Sequence, residues 1–220
     1  MTPTNPSDPI CGMTSPKRGN RYHHGNLREA LIAATIAIID ERGVEHVSVR
    51  EAAKRVGVSP GAPFRHFPTK TALMTAVAEQ AMSRLTSMVD TGLAVAGDQP
   101  LERFEAIGRA YLDWALQNPT HFQIISSRTL IDFNGSERLR RDNDAIRHVM
   151  EDLLAEATRH GLLAAGADST SLVLSARAFV YGLARMYIDG HFPEWDTSGV
   201  APETAMKRAL ALFMNSITRP

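Results

Sequence analysis

From residue 27 onward, apolar side chains recur every three or four positions, the spacing that puts them on one face of a helix. Leu27, Leu31, Ala34, Ile38 and Ile39 mark a first helix, and Gly43 ends it. Ser48 and Glu51 are spaced as a capping box, in which hydroxyl and carboxylate each satisfy a backbone donor. They open a helix that buries Val49, Ala52, Ala53 and Val56 and breaks at Gly57. Ser59 is expected to cap a short third helix with Pro60 at its first position, where the missing N–H costs nothing. A longer helix follows from Thr69 through Leu73, Val77, Leu85 and Met88. Next come Leu101–Gln117, a short element from His121 to about Ser127, and Ser136–His160 with Ile146, Val149, Met150, Leu153, Leu154 and Ala157 inward. Thr170–Ile188 is apolar nearly all round, and Pro202–Ile217 presents Met206, Ala209, Leu210, Phe213 and Ile217. No stretch alternates as a strand would, and no segment repeats. The expected fold is all-α: a three-helix head with a helix-turn-helix and a larger helical body, about nine helices together.

The first twenty residues break this pattern. They carry Pro3, Pro6, Pro9 and Pro16 without any apolar period and read as a disordered tail. The division expected is therefore a tail (1–20), a head (21–68) and a body (69–220). Net charge is zero, but it is unevenly spread: Lys17–Lys70 holds ten Lys or Arg against five Asp or Glu. A basic first third on an acidic remainder assigns any polyanion to the head. The lone Cys11 excludes an intramolecular disulfide and a cysteine-based zinc site. No signal-like start and no spanning apolar run is seen, so a cytoplasmic protein with no membrane partner is expected.

Gly57-Val58 between two short helices is what a helix-turn-helix requires. Ala52 and Ala53 allow close approach, Gly57 permits the turn, and Val58 plugs the junction. Residues 48–70, SVREAAKRVGVSPGAPFRHFPTK, follow a helix that begins RYHHGNLREAL. Over residues 21–75 this closely resembles the tetracycline-repressor (TetR/AcrR) family of transcriptional regulators. The resemblance implies that Ser59–His66 enters the major groove of double-stranded DNA, two copies reading a palindromic operator. Capped helix starts favour phosphate, which selects Ser48, Ser59 and Lys70. Arg65 and His66 add charge, and Phe64 stands where family members often carry a phosphate-touching Tyr. Pro60, Gly61, Ala62 and Pro63 offer no side-chain hydrogen bonds, so base readout falls to Ser59, Arg65, His66 and Arg50, with the Ala62 methyl on thymine. Specificity should lean on DNA shape and water. Lys17, Arg18 and Arg21 form a basic arm suited either to a minor groove or to plain solvation.

The family resemblance also implies a homodimer and a small-molecule effector. Thr170–Ile188 and Pro202–Ile217 are the expected dimer helices. Residues 110–124, AYLDWALQNPTHFQI, are similar to a stretch in a subgroup with a carboxy-terminal Trp…His-Gly signature. Gly182 fits that signature, whereas Arg177 and Tyr181 stand at its Trp and His positions. Candidate pocket residues are Phe104, Tyr111, Trp114, Phe122, Phe179 and Met186, with Arg177 or Tyr181 as polar anchors; an inward Arg177 would favour an acidic effector. No cofactor is implied. The rival enzyme reading starts from Asp144, His148, Asp152, Glu156 and His160, a row able to ligate metal. Arg147 and Arg159 interleave with it and the apolar face lies opposite, so a solvated charged face is the better account. His23-His24 is a second metal candidate, more readily read as surface residues. A DNA-binding protein without a ligand is the remaining alternative. It would act through architecture or a protein partner.

Overall fold

The computed structural model describes residues 27–164, 166, 168–195 and 199–219. Among these the fold is helical: α1 (Leu27–Arg42), α2 (Val49–Val56), α3 (Lys70–Val95), α4 (Pro100–Gln117), α5 (Pro119–Ser126), α6 (Glu137–Arg159), α7 (Ser169–Ile188), α8 (Phe192–Trp195) and α9 (Pro202–Ile217). Two 3-10 turns, Val44–His46 and Ala62–Arg65, flank α2. The one β-type contact among these residues is an isolated bridge between Leu163 and Thr218, which ties the end of α6 to the end of α9. Arg18, Lys17, Arg21 and the His23-His24 pair lie outside the described residues.

The head is built on α1. Leu31, Ile32 and Ile38 are fully buried along it, each side chain contributing roughly 1.5–3 kcal/mol by leaving water. Thr35 is buried too, its hydroxyl donating to the Leu31 carbonyl at 2.8 Å, so no polar atom is stranded. Gly43 ends α1 at φ +92°, and a Cβ there would also strike the Glu45 carboxylate. Ala52 and Ala53 of α2 are buried, which lets α2 sit close on α1. At the end of α2 the Gly57 N–H donates to Lys54 and the Val58 N–H to Ala53, at 3.2 and 3.1 Å. With Gly57 at φ +77° this is a Schellman ending, as the Gly57 break required.

The capping box is only half made. Ser48 Oγ accepts the Glu51 N–H at 3.0 Å, but the Glu51 carboxylate turns away to Arg42 Nη2 at 2.7 Å. A charge-assisted bond to a guanidinium outcompetes a neutral backbone donor, and Arg42 holds the Glu51 carboxyl below its usual pKa.

The body packs around α4, which touches α3, α5, α6, α7 and α9. Helix α3 belongs to both parts: it starts at the head, capped by Thr69 Oγ1 on the Ala72 N–H, and runs on against α4. Gly108 of α4 is needed for close approach, since a Cβ there would stand 3.2 Å from Leu210 of α9. Helix α8 and the Val44–His46 turn carry too few residues to show a period and were not expected from the pattern.

Candidate nucleic-acid interface and ligand cavity

The segment after Gly57 differs from the expected α-helix capped by Ser59. Its hydrogen bonds step back three residues: Ala62 N–H to the Ser59 carbonyl at 3.1 Å, and His66 N–H to the Pro63 carbonyl at 2.9 Å. The Ser59 backbone carbonyl, not its hydroxyl, starts the element. Pro63 is the cause. It has no N–H to return to Ser59, and its ring would crowd that carbonyl, so an α-turn cannot close there. Pro63 is instead buried beside the core residue Phe67. Ser59, Pro60, Gly61, Arg65 and His66 are exposed, Ala62 is half-buried, and Phe64 is a large apolar side chain left 41% exposed.

The charges of the head sort into two groups. Arg55 is held by Glu41 and Arg42 by Glu51, while Arg28 reaches Glu79 at 3.3 Å and lies over the Phe67 ring. Among the described residues Arg50, Lys54, Arg65 and Lys70 have no carboxylate partner, and all four are exposed. Lys54 was missed by sequence reasoning. Its lack of a partner is a property of the packing of α1 against α2. Lys70, at the first position of α3, donates from Nζ to the Val44 carbonyl at 2.9 Å, linking the start of α3 to the turn after α1.

In the body, α3, α4, α6, α7 and α9 enclose a cavity of about 600 Å³, within the size range of small-molecule sites. Phe104, Tyr111, Trp114, Arg177 and Tyr181 stand in its wall. Phe122, Phe179 and Met186 do not. Phe122 is fully buried behind the wall, stacked on Tyr181 at 5.6 Å and 6.3 Å from both Tyr111 and Trp114. Phe179 stacks on Phe213 of α9 at 5.0 Å, so its partner is the neighbouring helix. Met186 lies half-buried near the end of α7, past the turns that face the cavity. Helical spacing assigned these three an apolar environment, which they have, but could not say what fills it.

Trp114 carries the one buried side-chain polar atom without a hydrogen-bond partner among the described residues, its indole Nε1–H. An unmet buried donor costs about 1–3 kcal/mol. Arg177 Nη1 donates to the Tyr111 hydroxyl at 2.8 Å. Burial pushes the Tyr111 phenol up, and the Arg177 charge partly offsets this. Arg128 and Phe133, from the connection between α5 and α6, also enter the wall. That connection reads as a loop, although Leu130, Ile131 and Phe133 within it were a signal that it packs.

Helix α5 joins cavity and head. Ile125 and Ser126 at its end line the cavity, while Thr120 at its start donates to Asp40 of α1. Beside Thr120, the buried His121 donates from Nε2 to Gln80 Oε1 of α3 at 3.1 Å. Asp144, His148, Asp152, Glu156 and His160 of α6 do not line the cavity, whereas Arg147, which bridges Asp144 and Glu151, stands in its wall together with Glu151. Among the described residues no group of three or more His, Cys, Asp or Glu is placed to hold a metal, and no helix is long and apolar enough to cross a membrane.

Residues 31–77 match the family model described as bacterial regulatory proteins, tetR family, and residues 104–213 match the tetracyclin repressor-like C-terminal domain. The chain is 28% identical over 134 residues to the nucleoid occlusion factor SlmA of Haemophilus ducreyi, covering 61% of this chain and 63% of that protein. It is 33% identical over 119 residues to the HTH-type transcriptional regulator BetI of Stenotrophomonas maltophilia, covering 53% of this chain and 61% of that one. The match spans 48–71% of the length of such curated relatives. A solved protein of unknown function from Rhodococcus sp. RHA1 superposes with a TM-score of 0.75 at 25% identity, over 91% of this chain and all of that one. The fatty acid degradation regulator FadR of Bacillus halodurans superposes with a TM-score of 0.67 at 14% identity, over 88% and 97%, a likeness of fold alone.

Proposed function

The chain belongs to the tetR family of bacterial regulatory proteins, and from that premise we propose that it is a cytoplasmic, sequence-specific DNA-binding repressor, a homodimer that leaves its operator when a small molecule fills the cavity. The run of α3 carries this reading. The helix starts at Lys70, four residues past the end of the recognition segment at His66, and its later turns supply Met82, Leu85 and Val89 to the cavity wall. A molecule that moves those turns moves the head. Helix α5 offers a second route through Thr120 and Asp40. We place the boundary between head and body at residues 68 and 69.

The same reading assigns the dimer contact to α7 and α9. Along α7 only Ala176, Val180 and Ala184 are buried, one stripe of an otherwise apolar helix, while Leu174 of α7 and Leu212 of α9 are each 71% exposed. An apolar face of this kind beside a satisfied core stripe fits a partner surface. Pairing two heads at one helical turn, roughly 34–36 Å apart, is what a palindrome needs.

Fluorescence anisotropy on duplex DNA from upstream of its own gene, against scrambled duplex near physiological salt, tests the DNA reading. Tight binding to the native duplex alone is expected. Lys70→Ala should weaken binding to every duplex and lower the salt slope by about one; an unchanged slope would remove Lys70 from the phosphate contacts. Saturating effector should reduce operator affinity about 5–150-fold, a coupling of about 1–3 kcal/mol. The similarity to nucleoid occlusion factors favours a second reading, in which the same head binds DNA in nucleoid occlusion and that binding does not respond to any small molecule.

A further inference from the structure

Two guanidinium groups reach the cavity wall from different elements. Arg177 comes from α7; it donates to Tyr111 and lies 4.6 Å over that ring and 5.5 Å over Tyr181. Arg128 comes from the connection after α5, its guanidinium carbon 3.5 Å from the centre of the Phe133 ring. Both side chains are exposed overall. Stacking on aromatic faces fixes a planar fork without consuming its in-plane donors.

Charge balance then separates these two from the third arginine of the wall. Arg147 is held by Glu151 at 2.7 Å and by Asp144 at 3.4 Å, and Glu151 is the one carboxylate among the wall residues. Neither Arg128 nor Arg177 has a carboxylate partner among the described residues. Both stand in the wall of the same cavity, and partial burial, then repulsion from the Arg177 charge, push the Arg128 pKa down. An uncharged ligand would leave this repulsion in place, a cation would add to it, and an anion would relieve it while accepting the fork hydrogen bonds. Beyond these heads the wall is mostly apolar, with residues such as Leu85, Phe104, Ile107 and Met150.

We propose that the cavity takes an amphiphilic oxyanion, an apolar body ending in a carboxylate or phosphate, with its head clamped between Arg128 and Arg177. This rests on the ligand-responsive reading of the same cavity and gives its ligand a chemical class.

The test is binding of decanoate, decyl phosphate, decan-1-ol and decylamine to the full chain near neutral pH, by calorimetry and by quenching of Trp114. At least one anion should bind tenfold or more tightly than the alcohol and the amine, and the better of the two anions identifies the head. Arg128→Met and Arg177→Met should each cut anion affinity about tenfold, the worth of one charge-assisted bond, with decan-1-ol binding unchanged as the sign of an intact cavity. Arg177→Lys, which keeps the charge but not the planar fork, should fall between. Equal binding of alcohol and anions would overturn the oxyanion and leave the ligand-responsive reading standing, as would an anion preference that survives the double Met variant. Binding of none of the four would remove the oxyanion proposal outright, and operator binding by anisotropy would then decide separately whether the regulator reading holds.

Discussion

Phe122→Ala should cost about 3–5 kcal/mol of unfolding free energy, a large loss for one truncation in the body. The ring is fully buried and touches aromatic rings of two other helices: Tyr111 and Trp114 of α4, and Tyr181 of α7. It also seats α5, the helix between cavity and head. Its neighbours cannot collapse into the space without abandoning the cavity wall they form, so the void term adds to the lost transfer energy. Urea unfolding followed by tryptophan fluorescence measures it. Trp114 is fully buried and reports the site, whereas Trp195 is 75% exposed and changes little on unfolding. A loss below about 1 kcal/mol would mean that the pocket relaxes around the missing ring.

The second large effect is acid sensitivity. His121 is buried, and burial first, then the Arg84 charge, lower its pKa to about 4, with Asp40 acting the other way. The unfolded chain takes up its proton near pH 6.5. Between those values the unfolded state binds more protons than the folded one, so stability is full above about pH 6.5 and falls as pH drops towards 4. The difference amounts to about 3 kcal/mol. His121→Gln keeps a hydrogen-bonding amide next to Gln80 but cannot titrate. It should flatten the pH dependence of the urea midpoint between pH 6.5 and 4. An equally steep dependence in the variant would assign the acid transition to other groups. The lesion falls where α5 meets α1 and α3, so DNA affinity should decline over the same pH range.

Much of this architecture was legible in the residues because the signals are local. The Ser48 cap appears as expected, and Thr69 and Ser136, which stand at the expected helix starts, cap in the same way, each hydroxyl oxygen accepting an N–H three residues on. Gly57 adopts the left-handed conformation its place in the turn demands. Where the reading failed, a second interaction competed for the same group. Arg42 took the Glu51 carboxylate from the capping box, and Pro63 turned the segment after Ser59 into a 3-10 element. Pro60 suits the first position of a helix, but Pro63 lacks the N–H that the next α-turn would need.

By itself the sequence determined the all-helical class, the order of the main helices and the helix-turn-helix head, since period, caps and turn glycines act within a few residues of one another. The cavity is of another kind. Which apolar side chains pack together and which leave space between them depends on how five helices meet, and the pattern on each helix says only which side faces inward. Hence Phe104 and Phe122 look alike in the sequence, while one lines the cavity and the other supports it from behind. Arg128 and Arg177 are forty-nine positions apart, and although Arg177 stands out as a candidate anchor, nothing in the sequence pairs it with Arg128. Only tertiary packing brings their charges within reach of each other and gives Arg147 a carboxylate that they lack.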